Sequence, residues 1–589
     1  MIGIFFDPIR YPEEASALSA FADDPQPCVF GIDLSAPAQG LAALIAARRE
    51  GKTTAILPLL AEPYEATLST ILQTIAGTES HEDRAAQLAA LSSGQLLVNG
   101  KQPHELAGYA QAHLDAAALA LRLADVVLVQ AFGERDRWMR ALGRPLRRYA
   151  VLPPVPARGD GLRLDETAVT IYAPSTPRAA LAIYESLLAA RRIETAVVAA
   201  ENAADALQTR VVIAPEWRWL RARSLAGRGY HVVAPNAMRV DECDERIFGY
   251  APPDLRGMLG AVDAALTASG GRERVTTDPQ ALAAALARDA ATIAEGPAVS
   301  IVIRTFDRPE LLRRAIESVA RQTYRNVEIV VVNNGGNDVS DVVAAAAGGR
   351  PFRYECLAER KHISAASNAG ARAATGAYVG YLDDDDLLYA DHCARAVAAI
   401  ERTQADVVFT TCLAEYAQMH GDEKRVIGYQ IYLDRDFHPD DIFVANLSPI
   451  HTIVHRRDLF DRFGYFDEEL PVTDDWELWL RASVRGARFV RVDRVTCEYS
   501  WRYDPLRGNM TIEHQWDFVR AYRTIAERYA GSVSGRTSIL TAQANMLADQ
   551  ERRAQDAADP SKRAGVVIGA MSNAVVPVAP APENAGSRT

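Results

Sequence analysis

Four consecutive carboxylates, Asp383, Asp384, Asp385 and Asp386, follow an apolar run in the stretch YVGYLDDDDLL. The run at 378–382 has the aromatic and aliphatic content of a short buried strand. Like charges on adjacent residues repel, so the cluster is a poor device for stability unless a cation offsets it. In an extended backbone side chains alternate. That points Asp383 and Asp385 one way, where they can serve one hard divalent ion, and Asp384 the other. A D-x-D pair at the carboxyl end of a strand stands where open α/β sheets bind their ligands. The plainer alternative is an acidic turn capping a helix that begins near Tyr389, with Asp386 as one candidate near its start, but one Asp suffices for a cap. A second acidic pair, Asp474-Asp475, opens TDDWELWLR. Two acids at a helix start can simply complement the helix dipole, and Trp476 and Trp479 at i and i+3 are equally a core stripe or a groove lining. No His or Cys cluster competes for a metal: His451 and His455 in HTIVH lie in a β-branched run that reads as strand, roughly 13 Å apart, and are expected to be structural.

The whole chain bounds what these residues can be doing. Its 589 residues are too many for one core and suggest roughly three or four domains. An apolar fraction of 49% and a charged fraction of 24% are those of an ordinary globular protein. A net charge of −12 without a basic stripe argues against nucleic-acid binding, while an anionic substrate stays compatible with a bound metal. The six cysteines are scattered with no C-x-x-C, the pattern of a reduced intracellular protein without a zinc ribbon. MIGIFF is stopped by Asp7 and Pro8, too soon for a signal-peptide core, and no run of about 18 apolar residues occurs. The expectation is a chain that neither spans a membrane nor is exported by that route.

The elements that must position the acids alternate regularly. Over 1–160, strand-like runs at 28–32, 53–60 and 125–130 alternate with Ala-rich helical runs at 41–49 and 113–123, the mark of parallel βα units. VLPPVP at 151–156 reads as a hinge. A second series over 161–295 has strands at 168–172, 195–199, 211–214 and 231–234 and helices at 179–190 and 279–295. At Ala298 the texture changes. The strand 299–303 ends in R-T-F-D-R, Pro309 opens an amphipathic helix, and VEIVVV at 327–332 reads as a fully buried strand ending at Asn333-Asn334-Gly335-Gly336. A strand near 352–356 and the segment HISAASNAGARAATG then lead into the acidic cluster. A helix from about Thr511 closes this part, and beyond about Gln555 the Ala/Pro/Ser/Asn-rich tail reads as disordered.

The two halves before residue 295, joined by a Pro-rich link, resemble the GT-B type of glycosyltransferase, and ADVVLVQAFGERDRWMRALGRPLRRYAVLPPVP is most similar to that architecture's first domain. Retaining enzymes of that type pair two glutamates beside the donor. PEWRWLRARSLAGRG offers Glu216, with Ser224 where the partner would stand, and no Gly-rich phosphate loop follows either opening strand. The expectation is a degenerate module for acceptor binding or assembly, with a divergent active enzyme as the alternative. Residues 297–510 closely resemble the family 2 glycosyltransferases, inverting enzymes of GT-A fold. RTFDR, VNNGG, ASNAG, YLDDDD and TDDWELWLR occur in the order of that family's P-T-Y-N-R, V-D-D-G-S, A-R-N-x-G, D-x-D and the E-D pair before W-x-L-x-x-R.

The resemblance implies a fold, a reaction and a set of roles. The fold class is α/β: two doubly wound Rossmann-like, GT-B-like domains at 1–160 and 161–295, a GT-A domain with a mixed sheet at 296–530, and a helical then disordered tail at 531–589. Thr305, Phe306 and Asp307 stand where the family holds the nucleobase and ribose. Asn334 replaces an Asp that accepts from uracil, which loosens the preference for that base because an amide both donates and accepts. Ser367 replaces an Arg before Asn368, with Lys361 or His362 as stand-in for the lost diphosphate contact, and Asp384 counts with the nucleotide side. Asp383 and Asp385 hold Mg²⁺ or Mn²⁺, and Asp475 is the catalytic base. Asp474 and Trp476 lie on the acceptor side, with Arg502 and 509–511 in a flap. The implied reaction passes a sugar from a nucleotide-diphosphate donor, a UDP-sugar for preference, to a glycan or lipid-linked glycan. The setting is bacterial surface-polysaccharide assembly in the cytoplasm, with peripheral membrane association. Rival readings are a sugar-nucleotide pyrophosphorylase, a non-catalytic sugar-nucleotide-binding scaffold, and a two-activity polymerising enzyme.

Overall fold

The computed structural model describes residues 295–420, 423–432, 438–446, 448–503, 513–559 and 576–577. In the N-terminal half it describes 2–5, 28–33, 38–59, 118–129, 149–151, 165–173, 178–198, 207–215, 225–226, 230–235, 247–250 and 255–268. The chain divides into two units, Met1–Leu44 with Thr53–Ala290, and Ile45–Lys52 with Ala291–Thr589.

The first unit holds two parallel five-stranded sheets. One contains β1 (Ile2–Phe5), β2 (Cys28–Asp33), β3 (Thr54–Leu59), β4 (Val126–Val129) and β5 (Tyr149–Val151), paired in sequence order. The other contains β6 (Asp165–Tyr172), β7 (Thr195–Val198), β8 (Thr209–Ile213), β9 (His231–Pro235) and β10 (Ile247–Tyr250), in the order β10-β9-β8-β6-β7. Runs such as Val-Val-Leu-Val in β4 are apolar throughout, as strands covered on both faces must be. In the second sheet the helices Arg178–Ala190 (α1) and Leu255–Thr267 (α2) lay Leu181, Leu188, Met258 and Val262 against Val169, Ile171, Val211 and Ile213.

The second unit is built on one ten-stranded mixed sheet. The strands β11 (Val299–Thr305), β12 (Val327–Asn333), β13 (Phe352–Cys356) and β14 (Tyr378–Asp383) pair in parallel in the order β13-β12-β11-β14. Then β15 (Leu387–Leu388), β16 (Val407–His420), β17 (Glu423–Tyr432), β18 (Ile453–Arg456), β19 (Phe489–Tyr503) and β20 (Val576–Pro577) complete it, with β18 antiparallel to both β14 and β16. All seven residues of β11 are buried, and its alternation sorts them to opposite faces. Ile301 and Ile303 join Leu312, Ala315, Ile316 and Val319 of α3 (Pro309–Ala320), whereas Val302 faces Ala366 and Ala371 of α4 (Ile363–Ala373). Close approach of α4 depends on Gly370, where an added Cβ would lie 2.2 Å from Val302 Cγ1.

Several expectations shift in detail. Asp383–Asp386 form a turn closed by the Asp386 amide donating to Asp383 O at 3.1 Å, not an extended run. The helix expected near Tyr389 begins at His392, because Leu387–Leu388 pair with β19 first, and Asp386 is no cap. His451 sits in the 3-10 turn Ile450–Thr452, and only His455 is in strand β18. The closing helix starts at Gln515, and a last helix, Thr537–Ala558, runs past Gln555; Val576 pairs back with Tyr429 of β17. Glu216, Ser224, the link at 152–156, the helix at 279–294, residues 509–511 and most of the tail lie outside the described residues. Among the described residues no helix is long and apolar enough to cross a membrane.

Candidate active site

The site forms where β11 and β14 end and where α5 (Asp474–Val484) begins. The parallel register of β11 on β14 sets Arg304 opposite Asp383, so strand pairing alone brings a guanidinium to the first carboxylate. Arg304 donates to Asp383 and, at 2.9 Å, to Ser367 Oγ on α4. Along the turn, burial alternates as the sequence led one to expect for a strand. Asp383 and Asp385 are 36% and 27% exposed, whereas Asp384 and Asp386 are buried. Asp384 accepts from Thr305 Oγ1 at 2.8 Å and from Arg308 at 3.2 Å. Asp385 has Arg308 at 3.5 Å and Arg502 at 3.4 Å. Asp386 is held from beneath by His451 Nδ1 at 2.8 Å and the Ser500 amide at 2.7 Å.

The electrostatics show a site short of positive charge. Burial, and then the neighbouring carboxylates, push Asp384 and Asp385 up to about 6. Burial would strip His451 of its proton, but the Asp386 carboxylate outweighs it and raises the imidazole well above its ordinary value. At α5, burial and the charge of Asp474 push Asp475 up to about 6, against hydrogen bonds from Asn446 Nδ2 and the Trp476 amide, both at 2.8 Å. Arg304 lies within the field of Asp474 and Asp475 as well as Asp383. Thr473, just before the pair, has φ of +62°, a left-handed conformation that a β-branched residue adopts only under constraint.

On the nucleotide side, Phe306 is half-buried, with the Arg360 guanidinium 4.3 Å from its ring centroid. Asp307, at φ of +52°, accepts from both the backbone amide and the side chain of Asn337. Asn334 and Lys361 hold each other through two 2.9 Å hydrogen bonds, Asn334 Nδ2 donating to Lys361 O and the Lys361 amide to Asn334 Oδ1. That fixes Asn334 beside the loop but commits its side-chain amide. The Lys361 ammonium pairs with Glu359, and His362 caps α4 while contacting Pro471 O at 3.0 Å. Neither stands beside Ser367; the cation that does is Arg304. Asn368 is committed as well, donating to Phe466 O and Glu468 and accepting from the Phe466 amide. Trp476 lies in the core, its Nε1 donating to Ile442 O at 2.7 Å and its ring 5.2 Å from Tyr522.

Sequence reasoning missed Arg304, Arg308, Asn446 and the His451–Asp386 pair. R-T-F-D-R did carry a signal, since two arginines at a strand end need carboxylate partners, but nothing local shows that these lie 76 to 79 residues away.

Among the described residues no three His, Cys, Asp or Glu side chains are arranged to hold a metal ion by themselves. Asp383 and Asp385 nonetheless fit a hard divalent ion, which commonly takes one or two carboxylates and completes its shell with phosphate and water. The charge balance agrees. Asp383 to Asp386, Asp474 and Asp475 are six acids; Arg304, Arg308, Arg502 and His451 are four cations, leaving two negative charges.

Residues 300–457 match the model of the family described as glycosyl transferase family 2. An uncharacterized glycosyltransferase of Rickettsia typhi is 28% identical over 205 residues, which cover 34% of this chain and 60% of that protein, so the chain spans less than two thirds of its length. The uncharacterized glycosyltransferase YwdF of Bacillus subtilis is 32% identical over 200 residues, 34% of this chain and 71% of the relative. Among solved structures, Staphylococcus aureus TarS 1–349 in complex with UDP-GlcNAc aligns at 18% identity with a TM-score of 0.34, covering 42% of this chain and 71% of that one.

Proposed function

The chain belongs to the family 2 glycosyltransferases, and from that premise we propose that residues 296–530 are a catalytic domain that moves a sugar from a nucleotide-diphosphate donor, a UDP-sugar for preference, to a hydroxyl of a glycan or lipid-linked glycan. The observation that carries this reading is Arg304 bonded to Asp383 of the acidic turn and within the field of Asp474 and Asp475 at the start of α5. Asp383 and Asp385 would hold Mn²⁺ or Mg²⁺, which when bound neutralises the charge developing on the departing diphosphate. Phe306 offers a ring face to the base, with Thr305, Asp307 and Asn334 around it. Lys361 and Asn368 support that side, Asn368 by tying α4 to the loop at Phe466. Asp475, oriented by Asn446 and the Trp476 amide, takes the proton of the acceptor hydroxyl, so that attack comes in line and inverts the anomeric carbon. Asp474 adds charge beside it, and Trp476 supports the acceptor side from the core. The parts before residue 296, two domains at 1–160 and 161–295, serve acceptor binding or assembly. The setting is bacterial surface-polysaccharide or glycolipid assembly at the cytoplasmic side of a membrane, with peripheral attachment.

The test is isothermal titration of UDP, GDP, TDP and CMP into the full-length protein with and without Mn²⁺, repeated on Asp385→Ala. Metal-dependent binding of one nucleotide that disappears in the variant is the expected result, and it names the donor class. Absence of binding to all four with Mn²⁺ present overturns the reading.

A further inference from the structure

Arg304 is only 8% exposed and is ion-paired with Asp383. One guanidinium nitrogen donates to Ser367 Oγ on α4, another to Asp383 at the end of β14, and its Nε is buried with no hydrogen-bond partner. Asp474 and Asp475, at the start of α5, act on it electrostatically. Asp474 Oδ2 is also buried without a hydrogen-bond partner, as is the hydroxyl of Tyr381, which lies in the field of both Arg304 and Asp474. A guanidinium this deep is expensive unless its neighbours need the charge, and an apolar side chain would pack the end of a buried strand more easily. Arg308 acts on Asp383, Asp384 and Asp385 but sits at an exposed position. The field of Arg304 reaches both acidic groups, Asp383 at the end of β14 and Asp474 and Asp475 at the start of α5.

We propose that Arg304 is a positioning residue that joins the two acidic halves of the site, fixing the Asp383 carboxylate beside the ion and serving Asp474 and Asp475 as their shared counter-charge. The inference rests on the transferase reading above and deepens it. It assigns the coupling between ion side and base side to a strand residue that acts through Asp383, Asp474 and Asp475. The groups facing Asp475 are Asp474 on its own helix, the Trp476 amide, Asn446 from the loop after Phe443, and Arg304 from β11. Removing Arg304 leaves that set with one more uncompensated negative charge.

The experiment compares full-length wild type, Arg304→Gln, Arg304→Lys and Asp385→Ala. Each is titrated with Mn²⁺ and the four nucleotides. The parent and the Arg304 variants are then followed between pH 5 and pH 9 for slow hydrolysis of the sugar nucleotide whose nucleotide binds. Water is the acceptor there: it gives a proton to Asp475 as its oxygen bonds to the anomeric carbon, and the bond to the diphosphate breaks with its electron pair leaving on the nucleotide. Arg304→Gln should weaken Mn²⁺-dependent binding by about tenfold and move the acid limb of the profile up by about one unit. Arg304→Lys keeps the charge and should leave the limb in place, yet it weakens binding because a single ammonium nitrogen does not reproduce the fixed fork whose two nitrogens bond Ser367 and Asp383. Wild type that binds no nucleotide with Mn²⁺ defeats the transferase reading and this inference with it. If wild type binds and a folded Arg304→Gln keeps both its binding and its limb, only the role of Arg304 falls. Should Arg304→Gln fail to fold, an Arg304→Lys that binds like the parent, or whose limb moves, overturns the proposal by itself.

Discussion

In the proposed reaction Asp475 is the base, and it concentrates the chemistry at the scale of single residues. Its carboxyl is pushed from 3.8 to about 6 by burial and by Asp474, so it must lose its proton before it can accept one. Activity should therefore rise as pH passes through about 6. The same shift has an opposite consequence for stability. Between 3.8 and about 6 the folded form binds a proton that the unfolded form has released, so Asp475 costs stability as pH increases and that cost is fully present above 6. Asp475→Asn should accordingly melt at a higher temperature than the parent at pH 8, with the gap closing towards pH 4, while turnover falls by about 10²- to 10⁴-fold. Melting curves and rates on the same samples check both halves. His451 makes a contrasting case. It and Asp386 are 1% and 2% exposed, and His451→Leu strands a buried carboxylate under the acidic turn. The expected loss is about 3 kcal/mol, measured by denaturant unfolding.

Elements were more legible than the site they carry. The buried run of β11 and the helical spacing of Leu312, Ala315, Ile316 and Val319 follow from apolar patterning, which needs no knowledge of partners. The acidic cluster was visible too, as was the alternation of its side chains. The turn that replaces the strand there was not, because it depends on Leu387–Leu388 pairing with β19 more than a hundred residues later. The tryptophan stripe was ambiguous in sequence, and packing settles it, since Trp476 and Trp479 are both core residues. Two element-scale outcomes follow. Gly370→Ala places a Cβ 2.2 Å from Val302 Cγ1, and prying α4 from the sheet should cost about 1 to 3 kcal/mol, again by denaturant unfolding. Thr473→Gly removes a side chain from a left-handed position, so its thermal stability should equal or exceed the parent's, while kcat drops because the start of α5 is no longer constrained.

For the molecule as a whole, the distribution of acids predicts one nucleotide site per chain. The second unit holds the acidic cluster and the pair at α5, whereas the sequence before residue 295 offers neither a phosphate loop nor a complete glutamate pair. Titration should saturate at one nucleotide per chain, and a stoichiometry of two would favour the two-activity alternative. Excess Mn²⁺ and nucleotide should stabilise the unfolding step of the second unit by about 2.7 kcal/mol at a hundredfold excess over Kd, leaving any separate step of the first unit in place. Sequence by itself determined the α/β class, the family and the identity of the acids, because apolar periodicity and motif order are local properties that survive without a partner. Tertiary structure alone decided which cation stands beside Ser367, that His451 grips Asp386, and that Arg304 is bonded to Asp383 while lying within the field of Asp475. Each of those pairings closes across 60 residues or more, and strand register and burial select them rather than spacing along the chain.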